Sequence, residues 1–216
     1  MSSRETILQA IRSNLGGAGA AERPAVPEVW PRATSDTAAL ALRFANELQT
    51  VQGELIRCPS WEDAATTLVE IVDGSQWPTI AAVDGPLCRQ ATARLDRARV
   101  AWAVDDMQPA SLAEIPAGLI EAQCLLADTG SCLVVNRTAT ERLMCYLPET
   151  CIVVATLDML REHLPAAWEE IGERLREPSF RGELVMITGP SRTADIEKIL
   201  ILGVHGPKRL IVLLVG

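Results

Sequence analysis

The stretch Leu184-Val185-Met186-Ile187-Thr188-Gly189-Pro190-Ser191-Arg192-Thr193-Ala194-Asp195-Ile196-Glu197 decides how the fold is read. An apolar run of strand type ends at a Gly-Pro break, and hydroxyl and acidic residues then open a predicted helix that extends to Gly203. At such a joint the first N–H groups of the helix lack internal partners and the helix dipole is positive, so the turn suits an anion. Arg192 adds a planar fork of donors matched to carboxylate or phosphate. Asp195 and Glu197 favour the same helix start but would repel an anion unless Arg192 or a metal offsets them; they also suit holding Arg192 or taking ligand hydroxyls. A plain capped turn with Ser191 or Thr193 as N-cap is equally open.

The same alternation recurs upstream. A helix follows Asp36 to about residue 48, a strand covers residues 54–57, and Ser60 caps a helix that opens at Trp61. Strand-like residues 79–83, a helix after Gly85-Pro86 to about residue 97, and a strand near 100–104 come next. Apolar runs 118–127 and 132–136 are joined only by Asp128-Thr129-Gly130-Ser131, which suggests an antiparallel pair or a sharply kinked strand. That joint reads either as a hairpin turn or as a backbone suited to close approach by a ligand. A strand at 151–155, a helix led in by Thr156-Leu157-Asp158 to about residue 176, a strand at 183–188 and a last strand at 210–215 complete the pattern. The expected fold is α/β, a three-layer α/β/α sandwich on a mostly parallel sheet, in residues 36–216. Residues 1–35 form a separate arm: Ser2-Ser3-Arg4-Glu5 has capping-box spacing, Ile7, Leu8, Ile11 and Leu15 share one helical stripe, and a Gly-, Ala- and Pro-rich segment follows. Docking of that helix on its own domain, a symmetry mate or a partner stays open, and with it a homo-oligomer.

Hydrophobic residues make up 48% of the 216-residue chain and aromatics only 4%, so the core is built from Leu, Ile, Val and Ala. A net charge of −8 and the lack of any basic run interleaved with aromatics argue against nucleic acid. Residues 180–216 nevertheless hold five basic side chains against three acidic ones, a local balance that suits a small anionic ligand and equally a scatter of solvated charges. The six cysteines never approach Cys-x-x-Cys spacing and the two histidines are isolated, so no metal set is expected. Cysteines within apolar runs behave as small hydrophobes, which fits a reducing cytoplasm, and no apolar run has the length of a membrane span.

Read as a whole, the C-terminal string from Gly189 through Lys198-Ile199-Leu200-Ile201-Leu202-Gly203-Val204-His205-Gly206-Pro207 to the last strand resembles the LUD-domain family, most closely its lactate-utilisation protein C branch. An acidic-Thr-Gly-Thr element of that family is matched by Asp128-Thr129-Gly130-Ser131, and the resemblance covers about residues 35–216. It implies a fold like ribose-5-phosphate isomerase and CoA transferases, whose ligands are phosphorylated, acidic or nucleotide-like. In CoA transferases a Glu in a comparable turn is the nucleophile; Asp128 is one methylene shorter, which puts transferase chemistry in doubt. Cysteine stands at position 151 where the resemblance implies a His.

Ligands of open α/β sheets bind outside the carboxyl ends of strands, so the two turns are expected to meet there as one site. Its members are Asp128, Thr129, Gly130 and Ser131 with Gly189, Pro190, Ser191, Arg192, Thr193, Asp195, Glu197 and Gly206, and Asp128 and His205 are the candidates for proton or acyl transfer. His205 also reads as a turn residue bonded to its own backbone. The resemblance implies a subunit of an L-lactate utilisation system that oxidises lactate to pyruvate with iron–sulfur partner proteins, the clusters lying in those partners and no cofactor in this chain. A free-standing enzyme or binder for a phosphorylated, CoA-like or nucleotide-like molecule, and a non-catalytic structural subunit, are the alternatives.

Overall fold

The closing run Leu210 to Val215 contains no polar residue because both of its faces are covered: Leu210, Val212 and Leu214 enter one core, and Ile211 and Leu213 enter another on the opposite side. Strands buried on both faces are the mark of a parallel sheet between layers. A computed structural model describes residues 3–15, 36–104, 107–176, 182–193, 201–202 and 206–216. The chain divides into two units, Met1–Arg32 and Ala33–Gly216. In the first, helix α1 (Ser3–Leu15) carries Glu5 in its first turn and Arg12 in its last, as the dipole favours.

The second unit runs α2 (Thr37–Thr50), β1 (Glu54–Cys58), α3 (Trp61–Gly74), β2 (Ile80–Ala82), α4 (Pro86–Ala91), β3 (Val100–Trp102), α5 (Pro109–Ala113), β4 (Ala117–Glu121), β5 (Cys124–Leu126), β6 (Ser131–Asn136), α6 (Ala139–Met144), β7 (Thr150–Thr156), β8 (Leu160–Arg161), α7 (Leu164–Arg176), β9 (Glu183–Ile187), β10 (Arg192–Thr193), β11 (Ile201–Leu202) and β12 (Arg209–Val215). Six strands form one wholly parallel sheet in the order β1-β12-β7-β4-β2-β3. Four more form a second sheet, β8-β5-β6-β9, in which β6 is antiparallel to both neighbours.

Helices α3 and α4 cover one face of the six-stranded sheet through Leu68, Val72, Cys88 and Ala91. On the other face lie α2, through Ala41, Phe44 and Leu48 at helical spacing, and the inner face of the second sheet, through Leu125, Cys132 and Val134. Helix α7 covers the outer face of the second sheet with Ala167 and Ile171. The α/β fold with its parallel sheet is as expected, but part of the second helical layer is replaced by strands. The run 118–127 is the reason: it serves both sheets, as β4 in one and β5 in the other, and only then turns back antiparallel as β6.

Some local readings are corrected. Thr156 leads into a single 3-10 turn and the short strand β8, and the following helix begins only at Leu164. The helix after Gly85-Pro86 stops at Ala91, and Asp96 caps a 3-10 turn by accepting from the Ala98 N–H at 3.0 Å. Arg192 and Thr193 do not open a helix but pair antiparallel with Ile201 and Leu202, so the helix expected to end at Gly203 does not reach residue 201.

Candidate functional site

Thr188, next to the signature turn, brings the two expected turns together. Its Oγ1 lies 2.7 Å from Ser131 Oγ, the Ser131 hydroxyl donates to Thr129 Oγ1 at 2.8 Å, and the Thr129 hydroxyl donates to Asp128 Oδ1 at 3.3 Å. Each hydroxyl has one proton, so the chain has one consistent direction: Thr188 donates to Ser131, Ser131 to Thr129, and Thr129 to the carboxylate. Ser131 is fully buried, Asp128 half-buried, and Thr129 and Arg192 exposed. Ser191 joins a third turn, because its N–H donates to the Pro207 carbonyl at 2.8 Å and Gly206 lies against its side chain. Asp195, Glu197 and His205 lie outside the described residues.

The location differs from the expectation. Gly130 and Gly189 have φ of 62° and 78°, and both backbones press on the C-terminal end of α2. A Cβ on Gly130 would stand 2.3 Å from the Leu48 nitrogen, and one on Gly189 2.3 Å from the Val51 carbonyl oxygen. Close backbone approach is therefore made to a helix end. Val51 and Pro207 lead into β1 and β12, which puts the joint beside the amino ends of those strands rather than outside carboxyl ends. The physical cause is that β5 and β9, whose turns these are, belong to the second sheet, which has its own direction.

His163 is buried and opens α7: its Nδ1 accepts from the Ala166 N–H at 3.0 Å, and its Nε2 lies 3.9 Å from Glu162 Oε2. Glu162 in turn holds the Asp128 turn, since its carbonyl accepts from the Asp128 N–H at 3.0 Å.

At the carboxyl ends of the parallel strands the topology does create a crevice. From β2 the chain moves outward to β3, and from β4 it moves the other way to β7, so the switch in winding falls between β2 and β4. A slot of about 40 Å³ lined by Gly85, Glu121 and Asn136 lies there, and a wider cavity of about 270 Å³ adjoins it, with Asn136 and Arg137 in the walls of both. The Cys88 N–H donates to Glu121 Oε1 at 2.8 Å, and a Cβ on Gly85 would stand 2.3 Å from the same carboxylate, so a glycine at 85 makes room for it. Thr138 caps α6 by accepting from the Glu141 N–H at 3.1 Å while Glu141 accepts from the Arg137 N–H at 2.6 Å, which fixes the backbone that carries Arg137. The sequence reading missed these residues. Its available signal was Glu121 itself, a carboxylate in the apolar run where β4 leaves one sheet and the chain crosses to the other.

All six thiols are buried. Burial pushes those of Cys124 and Cys145 up to about 11, and raises those of Cys132 and Cys151 well above the ordinary thiol range. Such groups act here as small hydrophobic side chains of the core.

The LUD domain family model matches residues 41–215. An uncharacterized protein of Neisseria meningitidis serogroup B is 29% identical over 136 residues, 62% of this chain and 58% of that protein. Lactate utilization protein C of Geobacillus thermodenitrificans is 30% identical over 93 residues, 43% of this chain and 39% of that protein. The matched segments thus span about half or less of these relatives. The crystal structure of a DUF162 family protein from Deinococcus radiodurans superposes with a TM-score of 0.67 at 18% identity, over 85% of this chain and 100% of that one, which shows a shared fold. With the family model matched over four-fifths of its length, this chain belongs to the LUD-domain family.

Proposed function

We propose that this chain is the LUD-domain component of a lactate-utilisation system, acting with iron–sulfur partner proteins that oxidise L-lactate to pyruvate and itself binding a small organic ligand. The observation that carries this reading is the likeness to proteins named lactate utilization protein C, at 30% identity over 43% and 48% of the chain. Arg192, exposed just past the second turn, is the anion contact in the same reading.

The test is reconstitution. In a host deleted for this gene, growth on L-lactate is lost and returns with the wild-type chain, while the Arg192→Ala form restores it poorly. The purified chain alone shows no lactate-dependent dye reduction. Normal growth on L-lactate after deletion would overturn the assignment, and dye reduction by the chain alone would overturn its dependence on partners.

A further inference from the structure

We infer that the open edge of β9, together with the flank of α7 beside it, is the contact surface for a second copy of this chain across a two-fold axis. The two β9 strands pair antiparallel and merge the two four-stranded sheets into one.

Among the described residues β9 pairs with β6 on one side and ends the four-stranded sheet on the other. A sheet edge presents unpaired N–H and C=O groups, and natural edges are commonly blunted by lysine, proline or a bulge. The run Leu184-Val185-Met186-Ile187 has no lysine or proline, and its register with β6 is unbroken. Met186 stands opposite Leu133, so both point to the face that α7 covers, yet Met186 is 45% exposed.

The seating of α7 explains that exposure. Its buried stripe, Ala167 and Ile171, lies on the sheet, and Glu170 turns toward β8, where it accepts from the Arg161 guanidinium at 2.7 Å and from the Gln123 amide at 2.8 Å. Residues two apart on a helix point about 200° from each other, so Trp168 projects from the opposite flank, the one toward β9. Leu175, seven residues on, shares that flank. Trp168 is 60% exposed and Leu175 46%. On the scale of the roughly 150–250 Å² that an enclosed tryptophan buries, these two and Met186 leave roughly 300 Å² of apolar surface in water.

The strand fits its own copy. An antiparallel pair centred on Val185 matches every residue of β9 and sets Met186 beside Leu184 of the second copy, on the α7 face. The two Glu183 carboxylates then fall at opposite ends, about 13 Å apart along the strands and beyond the ~10 Å screening length at 0.1 M salt. Each is also paired with Arg142 of its own chain at 3.3 Å. The second copy brings its own Trp168 and Leu175 to the join, which doubles the apolar surface to roughly 600 Å². With a polar rim this approaches about 1,200 Å², the low end of specific interfaces, so the dimer is a weak one in the micromolar range.

Sedimentation equilibrium of the full chain from about 1 to 500 µM reads the association. The expected result is a reversible monomer–dimer equilibrium, weakened about tenfold or more by Met186→Lys and by Trp168→Glu. Ile11→Lys, in the exposed apolar stripe of α1, should leave it unchanged. Met186 and Trp168 are exposed, so both variants should unfold thermally close to wild type. Hydrogen exchange needs no variant: amides within residues 183–187 should exchange more slowly at the high end of the concentration range than at the low end. A chain that stays monomeric, association that continues past the dimer, a dimer that tolerates Met186→Lys or Trp168→Glu, a dimer lost in Ile11→Lys, or β9 exchange that ignores concentration would each overturn the proposal.

Discussion

Ser131 Oγ and Thr188 Oγ1 lie 2.7 Å apart, and this hydrogen bond carries the β6–β9 pairing past its last ladder pair, Cys132 with Ile187, into the two turns. Ser131 is wholly buried, so truncating it removes one donor and one acceptor where water does not reach. Ser131→Ala should destabilise the domain by about 1–2 kcal/mol. Thr188→Ala should cost a comparable amount, because it takes the donor away from the buried Ser131 oxygen. Urea unfolding of both single variants and the double variant checks this: non-additivity is expected, because the two act through one bond. Strict additivity would show that the pair is not coupled.

Gly130 and Gly189 hold the two turns against α2, and each meets both obstacles to a side chain, a positive φ and main-chain atoms at 2.3 Å. Alanine at either position should cost about 2 kcal/mol or more, since left-handed strain adds to displacement of helix backbone. Gly74 at the end of α3 is the control, because a Cβ there meets nothing within 4 Å. Gly74→Ala should be neutral or stabilising by up to about 1 kcal/mol. Thermal unfolding of the three variants ranks them.

Much of this fold was legible where one strand faces two cores or one cap follows a strand. The last strand could be read from its unbroken apolar run, and Ser60 from its place before Trp61; its Oγ accepts from the Asp63 N–H at 3.2 Å. Helices α5 and α6 were not legible, because five and six residues do not complete two turns of an apolar pattern. The joint at Asp128 and Thr188 was legible as two chemically similar turns but not in its location, since that depends on the second sheet and on contacts from Leu48 and Val51, far away in sequence. Glu121 was visible as a carboxylate in an apolar run, yet its meaning comes from strand order, which a single sequence does not spell out.

Glu54 and Arg209 join the starts of β1 and β12 by two hydrogen bonds of 2.6 and 2.7 Å. Hydrogen bonding to Arg209 lowers the Glu54 carboxyl from its usual 4.5, against a smaller opposing effect of burial. A lowered folded value means the pair stabilises the protein above the unfolded value, and that this contribution fades as pH falls through the folded one. Both side chains are more than 40% exposed, so solvent limits the effect to under about 1 kcal/mol. Glu54→Gln should therefore be slightly less stable than wild type at pH 7, and the gap should close below about pH 4. Urea titrations at several pH values test it, and a gap that widens in acid would contradict the sign.

Cys58, Cys88, Cys124, Cys132, Cys145 and Cys151 are all buried and all pushed above the ordinary thiol range, chiefly by burial. A disulfide reagent attacks through the thiolate and needs access, and the folded chain offers neither. Fewer than about one thiol per chain should react within minutes at pH 7.5 in native buffer, against all six in guanidinium. Cys58 should lead the slow native phase. Its Sγ reaches the Thr67 hydroxyl at 3.9 Å, a bond that favours the thiolate, and it sits at the last residue of an edge strand. Cys132 and Cys151, in the strands between the two sheets, should react only as fast as the domain unfolds, so their rate should follow the unfolding rate as denaturant rises. Fast native labelling of either would mean that the two sheets separate on their own, and that the thiols are open to metals as well as to reagents.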